Sequence, residues 1–87
     1  MIQEIKGKAQ IEYPTDWKYK VIGTQENLIR KSVDEVLTNI EYKLKFSKKS
    51  SKGKFISLEI SLNVKSEKER DLFFHNLKKS KNINMVI

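Results

Sequence analysis

Residues 55–64 read Phe-Ile-Ser-Leu-Glu-Ile-Ser-Leu-Asn-Val. The alternation sets Ile56, Leu58, Ile60, Leu62 and Val64 on one side and Phe55, Ser57, Glu59, Ser61 and Asn63 on the other. A period of two belongs to a strand with one buried and one wet face. Just before it, Tyr42, Leu44 and Phe46 alternate with Lys43, Lys45 and Ser47, and the polar turn Lys48 to Gly53 joins the two runs. Two alternating runs linked by a short Gly-containing loop predict a hairpin, with Gly53 free to take positive φ.

The same reading extends to both ends. Trp17, Tyr19 and Val21 alternate with Lys18, Lys20 and Ile22, and Gly23 marks the exit into a tight turn. Thr24 is the expected N-cap of a helix whose stripe is Leu28, Ile29, Ser32, Val33, Val36, Leu37 and Ile40, with Asn39 as its stop. After the hairpin, Ser66 and Glu69 have capping-box spacing, and the helix they open turns Phe73, Phe74 and Leu77 inward. Ile83, Met85 and Ile87 alternate with Asn84 and Val86 as a last strand. The order strand, helix, strand, strand, helix, strand with right-handed crossovers predicts an α+β, ferredoxin-like βαββαβ sandwich. Its four-stranded antiparallel sheet runs in the order 4-1-3-2 with two helices on one face. Residues 1–12 are expected to form a tail or short irregular segment, and residues 13–87 the single domain.

Composition narrows the function. The chain has 87 residues, no cysteine, one histidine and a net charge of +7. Absence of cysteine excludes disulfides and thiolate chemistry and fits a cytoplasmic location. No apolar run reaches the ~20 residues of a membrane span, so no membrane partner is expected. His75 falls opposite the apolar stripe of its helix, where a general base would have no pocket. Glu67, Glu69 and Asp71 are explained by a helix N-terminus. No catalytic, cofactor-binding or metal-ligating set emerges, and the chain is expected not to be an enzyme.

The positive charge is concentrated between Glu41 and Lys65, which carry seven Lys against two Glu. Lys18, Lys20, Lys43, Lys45, Lys48, Lys49, Lys52 and Lys54 form the candidate basic surface, on the open sheet face and the hairpin. On that face Asn84 and Val86 are expected from the last strand. Phe55 is the one aromatic placed there, and Ser57, Glu59 and Ser61 stand where base-stacking rings would be needed. Trp17 and Tyr19 are large enough to line a cleft but are more simply core residues.

The segments Tyr13-Pro14, Trp17 to Gly23, Ser50 to Phe55 and Asn84 to Ile87 together resemble the YbeD-like family of small bacterial proteins. That resemblance covers about Gln10 to Ile87 and implies a ferredoxin-like fold similar to the small-molecule-sensing ACT regulatory domains, with a lipoic-acid-linked regulatory label in some members. It transfers no catalytic residue. By the ACT analogy an effector would lie near the turn after the first strand, here Gly23, Thr24, Gln25 and Asn27.

Two functions are therefore expected to compete. One is a non-catalytic regulatory or ligand-sensing module for a small carboxylate effector or a protein partner, monomeric or weakly dimeric. The other is a basic surface for nucleic acid or an acidic protein. An apolar last strand at a sheet edge could also pair with another chain.

Overall fold

The computed structural model of the chain describes residues 11–50 and 53–87. In chain order the elements are β1 (Thr15–Gly23), α1 (Glu26–Val36), β2 (Tyr42–Lys49), β3 (Ile56–Val64), α2 (Glu67–Lys79) and β4 (Met85–Val86). The strands form one antiparallel sheet in the order β2-β3-β1-β4, as the pattern predicts. Most of the tail expected over residues 1–12 lies outside the described residues. Among those described, no helix is long and apolar enough to cross a membrane.

The β1–β3 ladder is the longest pairing and keeps one register from Thr15↔Val64 to Gly23↔Ile56. It sends Tyr19 and Val21 to the same side as Leu58, Ile60, Leu62 and Val64, all buried. Ile29, Val33 and Leu37 of the first helical stripe, Phe73 and Leu77 of α2, and Ile83 close this core. Full burial of each aliphatic side chain contributes about 1.5–3 kcal/mol. Ser32 is buried within the same stripe and accepts a hydrogen bond from Asn82 Nδ2 at 3.1 Å, which satisfies its hydroxyl.

The caps differ from expectation in detail. Gln25, not Thr24, is the N-cap of α1, and its side chain makes no capping bond. α1 ends at Val36 with Leu37 as its C-cap, before the expected stop Asn39, which takes a φ of 66° in the turn that follows. Ser66 caps α2 by accepting from the Glu69 amide at 3.1 Å. The Glu69 carboxylate reaches back to the Lys65 amide at 2.8 Å, one residue further out than in the usual capping box.

Gly53 has positive φ, as its turn requires, whereas Gly23 is a glycine for a different reason. A Cβ there would lie 2.6 Å from the Asn82 carbonyl oxygen and 2.9 Å from the Ile29 side chain. The end of β1 and the loop before β4 approach too closely for any side chain between them.

Two further expectations are corrected. Val86, not Met85, pairs with Val21 and packs on the core, so Met85 and Ile87 face the open side and Val86 does not. Ile83 reaches the core from a turn, its amide bonded to the Ser80 carbonyl, and the two-residue alternation begins only after it. In β2 a bulge between Phe46 and Lys48 inserts Ser47, which brings Lys48 opposite Ser57 and turns Lys49 to the other side, opposite Ile56.

Replacing Gly23 by Ala is expected to destabilise the chain by about 1–3 kcal/mol, through overpacking of Asn82 and Ile29. A urea unfolding curve checks this, and an unchanged midpoint would show that the close approach relaxes without cost.

Candidate functional site

The ladder registers align the open face into rows across the sheet. One row is Lys18, Ser61 and Lys43; the next is Ile87, Lys20, Glu59 and Lys45; a third is Met85, Ile22, Ser57 and Lys48. Five of the eight candidate lysines thus share one surface: Lys18, Lys20, Lys43, Lys45 and Lys48. Lys49 is carried to the opposite side by the bulge. Lys54 sits in the hairpin loop with its ammonium 5.7 Å from the Phe55 ring centre, and Lys52 lies outside the described residues.

Glu59 stands between Lys20 and Lys45 in register, and the Lys45 ammonium is 3.5 Å from its carboxylate. The Glu59 side chain is only 16% exposed while that of Lys45 is 74% exposed. Such a half-exposed pair contributes between 0 and about 1 kcal/mol. It neutralises one charge at the centre and leaves the surrounding lysines in solvent. At the far end of β1, Asp16 accepts from Asn63 Nδ2 at 3.3 Å, so the face ends there in a carboxylate rather than a lysine. At the β4 corner, Ile22, Met85 and Ile87 add an apolar border, with Met85 55% and Ile87 66% exposed.

The helix side holds a second constellation. Tyr19 is buried, and its hydroxyl donates to the Arg70 carbonyl at 2.6 Å. Burial pushes its pKa up to about 12, with the Arg70 guanidinium opposing the shift. The Arg70 guanidinium lies 4.7 Å from the Trp17 ring centre and donates to the Tyr13 hydroxyl at 3.0 Å. Trp17 is half-buried against the core and also borders two open clefts, one of about 540 Å³ near Asp16 and Tyr42 and one of about 380 Å³ near Arg70 and Phe74. Tyr42 donates to Asp34 at 3.2 Å, and burial followed by that carboxylate raises its pKa. No sequence pattern announces the Tyr19–Arg70–Trp17 group, because Arg70 lies 51 positions from Tyr19.

The turn after β1 is arranged differently from a cavity. Gly23 is buried against Asn82 and Ile29, while Thr24, Gln25 and Asn27 are exposed above it. His75 is exposed on α2, its ring edge-on to Phe74, which agrees with the sequence reading. Among the described residues, no cluster of three or more His, Cys, Asp or Glu is placed to hold a metal.

Comparison with known proteins agrees with this architecture. A family model described as "Protein of unknown function (DUF493)" matches residues 8–87, and the chain belongs to that family. It is 39% identical over 75 residues to an uncharacterised Campylobacter jejuni protein, Cj0253, covering 86% of each chain. It is 33% identical over 72 residues to an uncharacterised Helicobacter pylori protein, covering 80% of this chain and 81% of that one. The solution structure of HP0495 from H. pylori superposes with a TM-score of 0.80 at 26% identity, over 95% of this chain and 91% of that one. The crystal structure of the ACT domain from the GTP pyrophosphokinase of Chlorobium tepidum superposes with a TM-score of 0.59 at 14% identity, over 84% of this chain and 97% of that one. The last likeness is one of fold. Together these findings bear out a family of unknown function with an ACT-like, ferredoxin-like fold.

Because the Tyr19 pKa is raised in the folded chain, its contribution to stability is complete below about pH 10 and is lost as pH rises toward about 12. Tyr19→Phe is expected to be less stable by about 1 kcal/mol at neutral pH, through loss of the bond to Arg70. That gap should narrow above pH 10. Urea midpoints of both chains across this range check the sign, and parallel profiles would contradict it.

Proposed function

We propose that the chain is a non-catalytic regulatory module that works by docking an acidic protein surface on its open sheet face. The observation that carries this reading is the placement of Lys18, Lys20, Lys43, Lys45 and Lys48 on three adjacent strands, with no element among those described lying over them. A surface of that sign attracts and orients an acidic partner. Protein is favoured over nucleic acid by two features of the face. It is bordered by Ile22, Met85 and Ile87, and Ser57 and Ser61 occupy central positions where stacking rings would be needed. All five cations are Lys, which lack the fork that binds phosphate in two places.

The test compares two variants of equal net charge. One carries Lys18→Gln, Lys20→Gln, Lys43→Gln and Lys45→Gln; the other carries Lys31→Gln, Lys68→Gln, Lys78→Gln and Lys79→Gln, all exposed on the helices. Binding to fluorescent polyglutamate at low salt should weaken at least about tenfold in the first and little in the second. Equal loss in both would reduce the effect to net charge, and tighter binding of single-stranded RNA than of polyglutamate would favour the nucleic-acid reading.

A second reading places a small carboxylate effector at Gly23, Thr24, Gln25 and Asn27. The supporting observation is that Gln25 gives α1 no side-chain cap, so first-turn amides are free to meet an anion. With Gly23 packed against Asn82, the effector would lie on the turn rather than beneath it. Amide shifts confined to residues 24–28 on titration with amino acids and lipoate are the expected outcome, and an unmoved spectrum would contradict it.

A further inference from the structure

Glu59 occupies the centre of its row on the open face, between Lys20 and Lys45 in register, with its carboxylate 3.5 Å from the Lys45 ammonium. The next row toward the start of β1 has the same flanks and a different centre. Lys18 and Lys43 stand on either side of Ser61, and among the described residues neither ammonium is ion-paired. One row further the charge reverses. Asp16 is opposite Asn63, and Glu41, one step before the first paired residue of β2, flanks Asn63 on its other side. These six residues border the open cleft of about 540 Å³, to which neither helix contributes among the described residues. The chain enters β1 from the opposite side of the sheet, where Tyr13 packs on the core and accepts a hydrogen bond from Arg70.

We infer that this cleft binds a small free zwitterion the length of a dipeptide, with its carboxylate over Ser61 and its ammonium over Asn63. The carboxylate takes between Lys18 and Lys43 the place that Glu59 takes between Lys20 and Lys45, and the Ser61 hydroxyl donates to it. The ammonium meets Asp16 and Glu41. Asn63 donates its Nδ2 to Asp16 at 3.3 Å, which leaves its Oδ1 to accept from the ammonium. The length of the ligand follows from the sheet. Residues two apart on a strand are separated by about 6.6–6.8 Å. An unblocked dipeptide is two residues of the same backbone and spans up to about 6.6–7.2 Å, whereas a single amino acid spans half of that and reaches one row only. The cleft has the volume of a small-molecule site. It shares Lys18 and Lys43 with the docking face but does not rest on that reading, because Asp16 and Glu41 repel an acidic surface and attract an ammonium.

The test titrates the full chain with unblocked dialanine and follows the backbone amides by NMR. Saturable shifts are expected at residues 16–18, 41–43 and 61–63. N-acetyl-dialanine, dialanine amide and free alanine should each bind at least about tenfold more weakly. Asp16→Asn with Glu41→Gln should weaken dialanine at least about tenfold without weakening polyglutamate, and Lys20→Gln with Lys45→Gln should do the reverse. Failure of the docking reading and failure of this one are thereby told apart. Ser61→Glu supplies a tethered carboxylate between Lys18 and Lys43 and should abolish the response to dialanine while leaving the urea midpoint no lower. The blocked ligands keep the test decisive if a variant does not fold. An unmoved spectrum would overturn the inference, as would shifts confined to residues 24–28. Equal binding of N-acetyl-dialanine would reduce the site to a carboxylate on lysines, and equal binding of alanine would remove the two-row fit; either result contradicts the assignment.

Discussion

The nine-residue register between β1 and β3 is the constraint on which the rest of the molecule depends. It places two central strands so that every second side chain enters the core and every other one meets solvent. A slip of one residue would exchange Leu58, Ile60 and Leu62 for Ser57, Glu59 and Ser61 beneath the helices. The core and the lysine-lined face are therefore two outcomes of one alignment. The helices cannot lose their support without the open face losing its pattern.

From that centre the sheet is finished unequally. On the β3 side the long strand β2 extends the pattern of lysines outward, and its bulge swings Lys48 onto the same surface. On the β1 side the sheet is closed by a short strand and a loop held tightly against Gly23 and Ser32. The loop spends its contacts on locking the end of β1 to α1. The asymmetry sets the broad lysine-lined face against an apolar corner at Ile22, Met85 and Ile87.

Much of this was legible in the amino-acid sequence because it is written in short periods. Alternation at Trp17–Ile22 and Ile56–Val64, and three- and four-residue steps from Leu28 to Ile40, report local geometry directly and gave the element order and the sheet order. The basic face followed from the same alternation. Other features depend on contacts between distant positions. Ile83 looks like the first inward residue of a strand but is buried from a turn, which inverts the faces assigned to β4. The bulge at Ser47 separates Lys48 from Lys49 with no mark in a run of polar residues. Gly23 reads as a turn glycine and is instead a point of close approach to Asn82. The link from Tyr19 to Arg70 exists only once α2 is in place.

The absence of native cysteine makes the central alignment directly measurable by thiol labelling. Single replacements Ser61→Cys and Ile60→Cys put a thiol on adjacent residues of β3, one on each face of the sheet. In the folded chain the thiol at position 61 should react within about tenfold of a free thiol, and the one at position 60 at least about a hundredfold more slowly, because it is reached only by opening the core. Comparable rates at the two positions, or faster reaction at 60, would show that the two faces are not divided in this way.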